Sequence, residues 1–281
     1  MQKTKNKPKK FTQGSGRLEL AESIINPENP LTARVIVNRT WSMFFGRGLV
    51  ATPSNFGQLG TLPSHPALLD DLAVSFMENG WSMKQLIREI VLSSTYKQKS
   101  LESDINKSID PTNTYLWRMN RRRLSIEQWR DSILAAGNSL DRTGGKSLEL
   151  NDKNNNRRTV YSRISRKKLN DMLMQFDYPD ANVHASIRSS TTTALQKLFV
   201  LNNRFMIEHA KRLANRILGE NNNAKAEHVQ EIYEILYNRK PDNNELEIAL
   251  NFLGLPSESR LTRWEQYSHA LLAANEMNFI D

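Results

Sequence analysis

The chain contains no cysteine. That excludes disulfides, thiolate zinc sites, Fe–S clusters on its own ligands and a C-x-x-C-H haem attachment within it. It leaves the compartment open, since exported proteins without cysteine are common. Long apolar runs are also missing: none approaches the roughly 20 residues that span a bilayer. The start, MQKTKNKPKKF, is charged but has no apolar segment behind it, so it does not read as a secretory signal. There is no P-loop, no dinucleotide fingerprint and no G-x-S-x-G elbow. The histidines, His65, His184, His209, His228 and His269, show no H-x-x-x-H or H-E-x-x-H spacing, so no metal cluster is legible.

What is present is an ordinary globular composition, 38% hydrophobic and 25% charged over 281 residues, enough for one large domain or two small ones. The net charge of +9 is uneven. Lys3, Lys5, Lys7, Lys9 and Lys10 meet no acid in the first ten residues. Arg118, Arg121, Arg122, Arg123 and Arg130 form a second cluster, and Arg157, Arg158, Arg163, Arg166, Lys167 and Lys168 a third. Such fields attract nucleic acid, anionic lipid or acidic polysaccharide. The competing reading is a solvated surface with a disordered basic tail over residues 1–14.

The apolar periodicity is helical almost throughout, densest over residues 29–98. Leu18, Leu20, Ala21, Ile24 and Ile25 give a short first helix with an inward face. Asn29 caps a second, Pro30 takes its first turn, and Leu31, Val35, Asn38 and Trp41 form one stripe. Gly46 and Gly48 end it. His65 and Pro66 open a third. Ser82 with Gln85, Ser125 with Gln128 and Asp242 with Glu245 have capping-box spacing. Val160, Ser162 and Ile164 alternate with Tyr161 and Arg163, which predicts a strand. The reading is a mainly α fold: one multi-helix domain of about nine helices over residues 15–281, with a small β element near 158–165. Within it we expect a helical core at 17–99, a polar linker at 100–116, a flexible loop over 144–156 and the remainder at 117–281.

The segments GRLELA, NPLTARVIVNR, FGRGLVATPSNFG, HPALLD, GWSMKQLIREIVLSSTY, LWRMNRRRLS, FDYPD, the threonine run with LQKLFVLNN, and LAANEMNFID together resemble a planctomycete-type family. It is catalogued as a domain of unknown function (fifteen fifty-three). The resemblance runs from Gly16 to Asp281. It implies the C-terminal part of a large exported protein with cytochrome-c-like domains upstream. Haem would sit on those domains and no cofactor on this chain. It implies no established activity. Family members often carry a cysteine shortly before the position of Arg188, where this chain has His184-Ala185-Ser186, and many carry proline at the position of Ala194. A cysteine-based site is therefore untenable here.

Three groups of residues are candidates for function. Asp177 and Asp180 flank Pro179 in a loop followed by Arg188, the threonines and Gln196. Two such carboxylates could bind a hard cation or share acid–base work, with His65 as a further candidate; equally, they could order a turn, with Arg188 paired to one of them. Asn38 and Arg39 stand on an apolar helix and need partners, Arg39 an anionic ligand or a carboxylate such as Asp70. Arg121, Arg122 and Arg123 lie between Trp117 and Trp129, an arrangement able to stack on bases and bind phosphate, or to pair with Asp70, Asp71 or Glu127. The reading with most support is a non-catalytic scaffold or interaction domain. It would dock on haem-bearing domains or another protein surface, or on acidic polysaccharide, with no membrane span. An enzyme acting on an extracellular glycan is the alternative, and nucleic-acid binding the weaker third.

Overall fold

The computed structural model describes residues 11–12, 14–152, 155–219 and 225–280. Most of the basic tail expected over 1–14 lies outside them. The described residues form twelve α-helices and one two-stranded antiparallel sheet. The chain is mainly α, as its periodicity predicts, with twelve helices against the nine or so expected; Asn203 separates two of them and a short one forms within residues 100–116. It separates into two compact units, one running to Arg122 and one over Arg123–Ile280.

The first unit holds α1 (Arg17–Ile25), α2 (Pro30–Phe45), α3 (Pro66–Glu78), α4 (Met83–Leu92) and α5 (Asp104–Ile109). Its core is Ala33, Val37, Trp41 and Phe45 of α2 against Leu69, Leu72 and Phe76 of α3 and Leu86 and Ile90 of α4. Trp41 and Phe45 stack with ring centroids 4.2 Å apart. The buried stripe of α2 is therefore set by positions 33, 37, 41 and 45, and Leu31 of the expected stripe is exposed. The Asn29 cap forms as read, accepting from the Leu31 N–H at 3.1 Å, while of the box expected for Ser82 and Gln85 only the Ser82 half is made, accepting from the Gln85 N–H at 3.3 Å. The apolar side of α1 corrects an expectation. Leu18, Leu20, Ile24 and Ile25 are all exposed, and the helix buries nothing. Residues 100–116, expected as a bare linker, hold α5 and a buried carboxylate, Asp110, which accepts from the Thr114 and Tyr115 N–H groups at 3.0 and 2.8 Å.

The second unit comprises α6 (Ile126–Ala136), α7 (Asp171–Gln175), α8 (Ala194–Asn202), α9 (Arg204–Leu218), α10 (Ala226–Tyr237), α11 (Asn243–Leu253) and α12 (Arg263–Leu272). The packing of α9 on α12 is its most extensive helix pair. Met206, Leu213, Ile232, Leu272, Ile133 and Leu173 lie at the centre of its core. Trp129 is buried there and stacks on Phe176 at 4.9 Å. Complete capping boxes start α6, α8, α11 and α12. The sheet pairs β1 (Arg122–Arg123) with β2 (Phe279–Ile280).

The strand expected near 158–165 is not formed. Thr159–Tyr161 is a 3₁₀ turn, and only single bridges join Asp141 to Arg157 and Leu148 to Ser162. The cause is side-chain capture of the backbone. Asp131 accepts from the Thr159 N–H at 2.8 Å and its hydroxyl at 2.6 Å, and Arg130 donates to the Arg157 carbonyl at 3.1 Å. Those groups are no longer free to pair in a ladder. The expected loop over 144–156 is likewise anchored where it is described: Leu150 and Asn155 are buried.

Candidate functional site

The region read as a paired-carboxylate site is organised instead around the amide of Gln196, which is 3% exposed. Thr193 and Gln196 close the capping box of α8, with the Gln196 N–H on Thr193 Oγ1 at 3.2 Å and the Thr193 N–H on Gln196 Oε1 at 3.3 Å. The same Oε1 accepts from Arg123 Nη2 at 3.0 Å, and Nε2 donates to the Gln175 carbonyl at 2.9 Å. Asp177 lies beside this hub. Its carboxylate accepts from the Thr191 N–H and hydroxyl, both at 2.8 Å, and Gln196 Nε2 stands 3.5 Å away. Asp177 has φ +60°, a left-handed conformation that Asp tolerates better than most residues because its short side chain bonds locally.

Asp180 does something different. Its Oδ1 accepts from the N–H and the side-chain amide of Asn182 at 2.9 and 3.0 Å, the bonding of an Asx turn. Arg188 pairs with Glu127, at 2.8 Å to each carboxylate oxygen, and lies over the Tyr178 ring at 5.3 Å. The structure therefore brings Asp177, Thr191 and Gln196 together. It gives Asp180 and Arg188 separate partners, and His65 belongs to the first unit. The turn-ordering alternative describes Asp180, while Asp177 ties its loop to Thr191, 14 residues on. The expected pairing of Arg188 is with Glu127, not with either Asp.

In the first unit, Asn38 is wholly buried and reaches from α2 to the loop after it. Its Nδ2 donates to the Val50 carbonyl at 3.0 Å and its Oδ1 accepts from the Val50 N–H at 2.8 Å. Gly48 makes this possible, since a Cβ there would lie 2.7 Å from the Asn38 amide. Asn38 is thus occupied by its own loop. Arg39 is exposed, and the carboxylate expected for it, Asp70, pairs with Arg34 at 2.6 Å. A one-position shift of the helix face separates the two outcomes, since Arg34 lies one turn N-terminal to Asn38 while Arg39 points outward. A shallow cleft is lined by Trp41, Arg47, Ser64, His65, Asn113 and Asn120. His65 occupies the N-cap position of α3 but makes no side-chain cap; its Nδ1 is 2.9 Å from Ser64 Oγ, and its ring meets Tyr115 edge-on. For Asp110, burial alone would raise the pKa, but hydrogen bonds from Tyr115, Thr114 and Thr112 outweigh it and hold the carboxyl below its ordinary value.

The arginine run divides. Arg122 donates to the Met43 carbonyl in the last turn of α2, and burial lowers its pKa. Arg123 is on Gln196 and Arg121 is exposed. Trp129 is in the core and cannot stack on a base, which removes one half of the expected aromatic frame. Arg130, which the sequence shows only as one member of a cationic cluster, carries more of the structure than the run itself. Arg130 is 1% exposed and donates to the carbonyls of Asn155 and Arg157 and to Thr159 Oγ1 at 2.5, 3.1 and 3.1 Å. Its position in α6, one turn from Trp129-side core residues, was the available signal. The T-x-x-Q spacing of Thr193 and Gln196 was the signal for the hub. Among the described residues no group of three or more His, Asp or Glu could hold a metal ion, and no helix is long and apolar enough to cross a membrane.

Together these features define a mainly helical protein whose buried amides and guanidinium groups hold its own loops. A family model described as PSD1, protein of unknown function (DUF1553), matches residues 16–253. The chain belongs to that family. No curated protein matches it, and no solved structure does.

Proposed function

We propose that this chain is a non-catalytic interaction module that works as part of an exported protein carrying c-type haem domains, any haem being held by those domains. One observation carries the reading. Helix α8 is anchored by Gln196 and Val200 on one side, yet Leu195, Leu198 and Leu201 are 65, 54 and 55% exposed on the other. Leucines at such spacing form one continuous apolar stripe, and a stripe of this kind on an anchored helix fits a docking face. The occupation of Asp177, Asp180 and Arg188 by structural partners supports the same reading.

The absence of cysteine allows a clean test. A single Leu198→Cys variant, labelled with a solvent-sensitive fluorophore, is titrated with the haem-bearing domains of the same polypeptide. A saturable blue shift is expected. An Ile248→Cys label on α11, also exposed, should not respond. No response at position 198, or an equal one at 248, rejects the module reading. Parallel titration with acidic polysaccharide separates a glycan-facing role from a protein-facing one.

A further inference from the structure

We propose that the cleft between the start of α8 and the C-terminal segment of the second unit is a binding site for a carboxylate, held by Arg123 and Lys197. The cleft is lined by these two cations and by Thr193 and Asn275, over the apolar side chains of Phe176 and Phe279. Its charge balance is the argument. Among the described residues the Arg123 side chain bonds to the neutral amide oxygen of Gln196, and Lys197 Nζ bonds to the neutral Asn275 Oδ1 at 2.6 Å. Neither cation has a carboxylate at ion-pair distance among the described residues. Arg123 Nη1 is in addition buried with no hydrogen-bond partner. A buried guanidinium N–H without an acceptor is costly, and native structures rarely leave one unmet.

The acceptor that fits is small and anionic. Arg123 brings a planar guanidinium to the cleft, with Nη2 held by Gln196 and Nη1 buried without an acceptor among the described residues, and Lys197 lines the same cleft. That pairing suits one oxygen on the fork and one on the point charge, as a carboxylate presents them. Room in the cleft is about 20 Å³ and it is partly open to solvent, too narrow for a sugar ring to enter. The nearest acid to the hub, Asp177, has its charge met by the Thr191 N–H and hydroxyl, so it competes little for Arg123. This inference concerns a different surface from the leucine stripe of α8 and stands or falls independently of it.

The test uses the whole chain labelled with 15N. Acetate serves as the free acid, N-acetyl-aspartyl amide as the peptide-borne carboxylate, and sulfate at matched ionic strength as the competing chemistry. Saturable shifts are expected at the Arg123 Nε–H and the Gln196 side-chain amide with either carboxylate, and the tighter of the two identifies the source. Lys197→Gln and Arg123→Lys should each weaken binding about tenfold, the loss of one charge-assisted hydrogen bond. Lys240→Gln, an exposed cation elsewhere in the unit, should leave it unchanged. Thermal unfolding of each variant confirms that the fold is kept. Tighter binding of sulfate at the same residues overturns the carboxylate assignment. No saturable shift, or equal weakening by Lys240→Gln, overturns the site.

Discussion

In each unit a polar side chain on a helix is buried almost completely and reaches into a loop. In the first it is Asn38, a neutral amide with two bonds to Val50. In the second it is Arg130, a cation with three bonds to residues 155–159. The architecture is the same but the electrostatics differ. An amide loses little by leaving water if both its ends are met. A guanidinium loses much more, and here its partners are carbonyls, a hydroxyl and Asp131, whose carboxylate stands 3.9 Å away and is itself engaged with Thr159. Burial accordingly pushes the pKa of Arg130 down while Asp131 opposes the shift. The second unit therefore depends more heavily on Arg130 than the first does on Asn38.

The largest expected effect breaks that comparison directly. Arg130→Ala leaves the Asn155 and Arg157 carbonyls and Thr159 Oγ1 without their donor, removes the cation 3.9 Å from Asp131 and opens a cavity, which should cost about 3–5 kcal/mol. Asn38→Ala leaves one N–H and one carbonyl unmet, an expected cost of about 2–3 kcal/mol. Urea unfolding of both variants measures the difference. An Arg130→Ala variant less destabilised than Asn38→Ala would reverse the ranking. Arg130→Met sharpens the point: replacing a buried charge by an apolar side chain of similar length often recovers much of the loss. If Arg130→Met is as damaging as Arg130→Ala, the hydrogen bonds to residues 155–159 dominate over desolvation.

The asymmetry was only half legible in the sequence. Asn38 stood out as a polar residue on an apolar helix, so its need for a partner could be read, although the partner could not. Arg130 is one of five arginines counted as a single cationic cluster, and the count does not set it apart. Charge counts do not reveal which member of a cluster faces the core; the i, i+3, i+4 positions around Trp129 and Ile133 do. Helical class, the Asn29 cap and the Ser125 and Asp242 capping boxes followed from local chemistry, because each is settled within four residues. The alternating 159–165 segment misled for the opposite reason. Its outcome depends on Asp131, 28 positions earlier in the chain. The exposed stripes of α1 and α8 were equally illegible, since periodicity shows that a helix has an apolar side and not what covers it.

A smaller effect separates the units by pH. His209 is buried in the second unit, its ring 4.4 Å from Phe205 and its Nδ1 without a partner. Desolvation, with Arg212 and Arg130 nearby and Glu208 opposing, pushes its pKa from 6.5 down to about 4. The unfolded chain takes up the proton as pH falls below 6.5, whereas the folded one takes it up only near 4. Stability from this residue is therefore complete above the upper value, declines through the window and levels off below it, a total of order 2–3 kcal/mol. His209→Phe should flatten that part of the profile. An unchanged slope in the variant would assign the acid sensitivity to carboxylates instead.

The smallest expected effect concerns the two aspartates once read as a pair. Asp177 binds Thr191 through a charged carboxylate, whereas Asp180 makes a turn that an amide makes equally well. Asparagine accepts the left-handed backbone of Asp177 as readily as aspartate, so Asp177→Asn isolates charge from conformation. It should cost about 1 kcal/mol, and Asp180→Asn close to nothing. A double-mutant cycle with Thr191→Val places the loss: coupling is expected for position 177 and absent for position 180. Equal coupling of both aspartates to Thr191 would mean that they act on one centre after all, and the acid–base reading of the loop would return with it.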